Sequence, residues 1–192
     1  MSLRILYNSP VVLTFSILAT AAYFINQGLG NSLESILVLN PYFDSSSVSS
    51  YVSLVGYTLG HADINHLMGN LSFILLLGPI IEEKYGSQRL VFMIIVTAII
   101  TGVFNIVFFE TGLLGASGIV FMFIILVSFA NTTKNGIPLT FILILVLYVG
   151  KEFMNSFEQN NVSEFAHIAG GVIGSLFGFM VRKRPKDTAN FA

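Results

Sequence analysis

The sequence predicts an all-α protein that crosses a lipid bilayer several times. Three observations predict it. Apolar residues fill 54% of the 192 positions and charged residues only 10%, against about 25% charge in an ordinary soluble domain. Mean hydropathy is +0.81. The apolar residues also gather into runs of about 20, the length a bilayer-crossing helix needs. One soluble core of this size cannot hide so much apolar surface. Water-soluble and disordered classes are therefore excluded. A net charge of −1 with no basic face excludes a nucleic-acid binder. With no Cys in the chain, disulfides, thiol catalysis and Cys-based metal sites are excluded too. Residues 1–192 are expected to form a single transmembrane domain, with no room for a second.

Six stretches read as spans, about 10–28, 65–81, 90–109, 117–130, 137–150 and 165–181. The first ends without a small-x-small cleavage site, so it reads as a retained span. Gly28 and Gly30, Gly86, Gly112 and Gly115, and Asn135-Gly136-Ile137-Pro138 mark the boundaries. The fourth stretch is short for a full crossing. That suits a helix that starts below the membrane surface, against a wet cavity within the protein.

The basic residues test this count. Arg4, Lys84, Arg89, Lys134, Arg182, Lys183, Arg184 and Lys186 all fall on one side if there are six crossings, and only Lys151 falls on the other. Both termini are then expected in the cytoplasm. The stretch 31–64 holds no Lys or Arg, yet carries Ile36-Leu37-Val38-Leu39 and the apolar run 51–59. It reads as a long loop lying partly in the outer interface.

Polar groups at bilayer depth are costly and are candidates for function. His61, His66 and Asn70 fall in Gly60-His61-Ala62-Asp63-Ile64-Asn65-His66-Leu67-Met68-Gly69-Asn70. His66 and Asn70 are four apart and share one helix face. The plainer role for that face is interhelical glue. Gly115-Ala116-Ser117-Gly118 stands at the mouth of the fourth stretch. A serine there sits at a helix N-terminus, where free N–H groups favour developing negative charge. Its plainer role is a helix cap. Gly follows Ser directly, so the soluble-hydrolase elbow is not implied. His167, Gly170, Gly174 and Gly178 step along one face of the last stretch. Glycines on such a seam admit a close partner helix; a plain packing seam with a capping histidine is the alternative. Taken together, the residues supply a nucleophile, a base and oxyanion donors. All stand at the non-cytoplasmic ends of the second, fourth and sixth stretches.

This ordered set resembles the rhomboid family of intramembrane serine proteases. The match is His61-x4-His66-x3-Asn70, then Gly115-x-Ser117-Gly118, then His167-x2-Gly170-x3-Gly174, with Glu82-Glu83-Lys84-Tyr85-Gly86 resembling a further family feature. The resemblance implies a six-helix rhomboid-like bundle with Ser117 as nucleophile and His167 as general base. Asn70, His66 and the Ser117 backbone N–H would form the oxyanion hole. Gly115 would leave space at the site, and His61 would order the first loop. Phe121 stands where the family often has a tyrosine stacked on the base. Where many members carry Trp-Arg, this chain reads Tyr51-Val52-Ser53-Leu54. The family works as a Ser–His dyad, so packing must orient His167 where a triad uses Asp.

By resemblance, the partners are transmembrane protein substrates and the lipid bilayer, with no nucleic acid, metal or cofactor. Substrates would enter between the second and fifth spans, under the loop near 151–164. The bare six-span core suits a bacterial plasma membrane. Three rivals remain: a catalytically inactive rhomboid-like protein that binds membrane clients, a metal site on His61, His66 and a carboxylate, and a small transporter. No His-Glu-x-x-His and no inverted repeat occurs in the chain to favour the last two.

Overall fold

The computed structural model describes residues 6–130 and 164–180, with Leu139, Ile142, Leu143, Val146 and Leu147 between them. Among the described residues every regular element is helical. The elements are α1 (Pro10–Gly28), α2 (Glu34–Leu37), α3 (Val48–Gly56), a 3₁₀ turn (Tyr57–Leu59), α4 (Ile64–Tyr85), α5 (Ser87–Phe108), α6 (Ser117–Ala130) and α7 (Glu164–Met180). Three of them, α1, α4 and α5, are long and apolar enough to cross a membrane. The expected fifth span, at 137–150, and the loop expected to cap a substrate gate fall largely outside the described residues.

Each helix end has a local cause. Pro10 opens α1, where its missing N–H costs nothing. Ser9 makes no side-chain cap there. The cap comes instead from the far end of α4. Glu82 accepts from the N–H groups of Val11 and Val12, both at 3.1 Å, and from the Ser87 hydroxyl at 2.7 Å. Glu82 is only 5% exposed, so three donors satisfy a carboxyl group largely shielded from water. The sequence reading ended the second span near residue 81, with this acid beyond it. The helix runs on to Tyr85, which puts Glu82 on its last turn, within reach of the start of α1. Gly86, at φ 85, then turns the chain directly into α5.

The stretch between α1 and α4 is built rather than formless. Leu39 and Leu113 exchange backbone hydrogen bonds at 2.8 and 3.0 Å. The Tyr57 hydroxyl donates to the Ala98 carbonyl at 3.0 Å. Gly102 leaves the room on α5 that Leu39 and the Tyr57 ring occupy. These contacts tie the first loop to α5 and to the α5–α6 connection.

α6 is the axis of the bundle. Ile119, Val120, Met122, Phe123, Ile124, Ile125 and Leu126 are all buried, as expected of a helix apolar on every side. Val12 from α1, Ile74 from α4, Met93 from α5 and Ile173 from α7 complete that core. The outer face of α5 exposes Val91, Phe92, Ile95, Ile99, Val103 and Val107. Such an apolar surface is stable facing lipid.

Glu82→Ala leaves two helix-end N–H groups and one hydroxyl without an acceptor. We expect it to destabilise the folded protein by about 2–4 kcal/mol, with Glu82→Gln losing less because one amide oxygen remains. Unfolding in detergent micelles measures this; an unchanged midpoint for Glu82→Ala contradicts the cap.

Candidate active site

The site is assembled on three helix starts and one turn. Asp63 stands in extended conformation just before α4, and its carboxylate accepts from the N–H groups of Asn65 at 2.8 Å and His66 at 2.9 Å. This cap sets the first turn of α4 and so the position of His66. The same hydrogen bonds hold the exposed Asp63 carboxyl below its ordinary pKa, that from His66 first. No reading of the sequence gave Asp63 a role; an Asp directly before an apolar helix is the signal that could have found the cap.

Gly115 is the point on which the polar side chains converge. Its φ is 114, a conformation L side chains rarely adopt. A Cβ there would lie 2.7 Å from both Cε1 and Nε2 of His66, and 3.7 Å from Nδ2 of Asn70. The Gly115 N–H donates to the Tyr57 carbonyl at 2.9 Å, which fixes the turn from the first-loop side. No motif singled out Tyr57, because its contribution here is a main-chain oxygen. Two residues on, Ser117 opens α6 and is half-buried. Ala116 ahead of it has no side-chain acceptor, so it gives no side-chain cap to the first N–H groups of α6.

His61 lies on the far side of Asn70. Its Nδ1 donates to the Leu59 carbonyl at 3.2 Å, and its Nε2 accepts from Asn70 Nδ2 at 3.0 Å. A carbonyl can only accept and an amide nitrogen only donate, so the ring is the neutral Nδ1–H tautomer. Both ring nitrogens are occupied, which leaves no lone pair for the metal site considered above. Burial, reinforced by His66, lowers the His61 pKa to about 4. The rings of His61 and His66 meet edge to face at 5.0 Å.

The second half of the site is set by packing between α6 and α7. A Cβ on Gly170 would collide with the Gly118 carbonyl and lie 2.9 Å from its Cα; one on Gly174 would lie 2.9 Å from Met122 Cα. The two contacts are one helical turn apart and run in the same order, so α6 and α7 are parallel with their backbones touching. Gly118 follows Ser117 directly, and Gly170 lies one turn after His167 on α7. The backbone of His167 therefore stands in the first turns of α7, beside the start of α6. The His167 side chain falls outside the described residues. Phe121 is half-buried on α6, one turn beyond Ser117.

Two outcomes follow from this geometry. Gly115→Ala places a methyl against the His66 ring and strains the turn, so we expect a loss of stability of about 1–3 kcal/mol, read by thermal unfolding; a neutral result contradicts the close approach. For His61, the unfolded chain takes up a proton below about 6.5 while the folded ring stays neutral until about 4. Stability present above pH 6.5 is therefore lost progressively as pH falls towards 4. Midpoints measured across that window should fall more steeply for the wild type than for His61→Gln, and equal slopes contradict the assignment.

Comparison with known proteins identifies the family. The Rhomboid domain profile matches residues 48–184, from α3 to beyond α7. Rhomboid protease GlpG of Haemophilus influenzae is 27% identical over 146 residues, covering 74% of this chain and 74% of that protein. Rhomboid-related protein 1 of Caenorhabditis elegans is 34% identical over 139 residues, covering 65% of this chain and 38% of that one. Rhomboid protease GlpG of Yersinia pseudotuberculosis is 25% identical over 187 residues, covering 95% of this chain and 64% of that one. The chain thus spans under two thirds of the latter two relatives. Its apolar crossing helices and the profile match make it an integral membrane protein, and it belongs to the Rhomboid family.

Proposed function

We propose that this chain is an intramembrane serine endopeptidase that cleaves transmembrane protein substrates with Ser117 and His167. The observation that carries the reading is the parallel contact of α6 and α7 through Gly118 and Gly170. It brings the starts of the two helices together, the hydroxyl-bearing residue on one and the imidazole-bearing residue on the other. The convergence of His66 and Asn70 on Gly115 supports the reading from the other side. So do the relatives whose names call them rhomboid proteases.

The chemistry follows from the residue types. Ser117 Oγ attacks a substrate peptide carbonyl while His167 removes its proton. The tetrahedral oxyanion is held by the Ser117 N–H, Asn70 Nδ2 and His66, at the positive end of the α6 dipole. His167 then protonates the leaving amine. Water adds to the acyl-enzyme, and His167 again takes the proton. Gly115 keeps the carbonyl's path clear, because any side chain there would meet His66. We assign both termini to the cytoplasm from the sidedness of the basic residues, and a bacterial plasma membrane from the bacterial origin of the rhomboid protease relatives. Six crossings in one rhomboid-like domain complete the proposal, with the five described positions from Leu139 to Leu147 on a helical, exposed face.

The test is cleavage of a generic transmembrane substrate in proteoliposomes. Wild type should cut it, and Ser117→Ala and His167→Ala should each lose at least about 10³-fold in rate. Asn70→Ala should lose about 10²-fold. Cleavage by Ser117→Ala at the wild-type rate sinks the mechanism. A wild type that binds the substrate without cutting it favours the inactive, client-binding reading.

A further inference from the structure

His61 is a buried titratable side chain beside the site that the mechanism above does not use. We infer that His61 is a positioning residue, which fixes the orientation of the Asn70 amide so that its nitrogen, not its oxygen, faces the developing oxyanion. The inference rests on the oxyanion role proposed for Asn70.

The geometry leaves the amide one arrangement. The Leu59 carbonyl accepts from Nδ1 of His61, so Nδ1 carries the proton and Nε2 is bare. A bare nitrogen accepts, so Asn70 must turn its NH₂ towards the ring, at 3.0 Å. One amide hydrogen is spent on His61. The other remains on Nδ2, the atom that lies 3.7 Å from the position a Cβ on Gly115 would take, beside the His66 ring. Rotating the amide by half a turn would set its oxygen against the bare Nε2, acceptor against acceptor. It would also present that oxygen to the oxyanion. Both residues are only 7% exposed, so a mispaired amide oxygen has little water to replace the lost partner. On its other side His61 lines a polar crevice with Asn26, Gln27, Asn31 and Glu34, a crevice that Asn70 does not line. The neutral state the arrangement needs is the one burial favours.

Two substitutions separate the ring's two hydrogen bonds. His61→Asn can keep a donor near Nδ1 for Leu59 but is too short to reach Asn70. His61→Gln can set an acceptor near Nε2. Each is made alone and in an Asn70→Ala background, and kcat and KM are measured in proteoliposomes. We expect His61→Asn to lower kcat about 10–100-fold with KM within about twofold, and His61→Gln to stay within about threefold of wild type. In the Asn70→Ala background His61→Asn should cost less than about twofold more, because the group it acts through is gone. A wild-type kcat for His61→Asn overturns the inference, as does a loss that multiplies fully onto that of Asn70→Ala. Nitrogen-15 spectra of the wild type provide a reading that needs no variant: a neutral Nδ1–H ring at pH 7 is expected, and an Nε2–H ring overturns the inference. Ser117→Ala separates the two levels. If it still cleaves, the Ser–His reading fails whatever His61 does. If it is inactive while His61→Asn is not, only the positioning role fails.

Discussion

The contact between the Gly118 and Gly170 backbones is the constraint on which the arrangement depends. Two helices rarely approach so closely, because a Cβ on either side holds them apart. Here the glycine removes that spacer, and the next turn repeats the approach at Met122 and Gly174. Without an apolar driving force between helices in lipid, such close packing supplies the attraction through dispersion. A parallel pair also has both helix starts at one end. The same seam that holds α6 and α7 together thus decides which residues can meet at their tips. α6 has little freedom to shift in response, since almost every residue from Ile119 to Leu126 is buried.

A second theme is how polar groups are kept in an apolar molecule. Ser16, Thr58 and Ser128 bond to carbonyls three or four residues back on their own chain segment, whereas three polar groups that position the site or the helices reach partners on other elements of the fold. Glu82 caps the start of α1 from the end of α4. Asn70 reaches back across the first turn of α4 to His61. The Gly115 N–H is taken by the Tyr57 carbonyl. In water these bonds would compete with solvent and be worth little; away from water an unmade one is expensive. They therefore act as registration marks between elements as much as sources of stability. The first loop, joined to the α5–α6 turn by Leu39 and Leu113, belongs to the site's foundation for this reason.

Much of this was legible in the sequence. The apolar runs located α1, α4, α5, α6 and α7 to within a few residues, because lipid-facing helices need little beyond length and hydrophobicity. The glycine spacing on the last stretch announced a close helix contact, and the resemblance implied that Gly115 leaves space at the site; that the space is bounded by the His66 ring needed the structure. What sequence could not show were contacts made by main-chain atoms or by side chains across long separations. The carbonyls of Tyr57 and Leu59 carry no signature in residue identity. Glu82 looked like an acid outside the membrane, since nothing local says that the N-terminus of α1 needs it. His61 read as an aid to the loop; that it also faces the Asn70 amide needs three-dimensional knowledge of both rings and both partners.

The central claim is that Ser117 and His167 meet at the tips of two touching helices, beside the donors of Asn70 and His66. The most direct measurement is an experimental structure of the protein after reaction with a fluorophosphonate. The account predicts phosphorus bonded to Ser117 Oγ, its oxygen within hydrogen-bond reach of Asn70 Nδ2, and a His167 ring nitrogen about 3 Å from the serine oxygen. An unmodified Ser117, or an adduct with His167 turned away from it, would contradict the account.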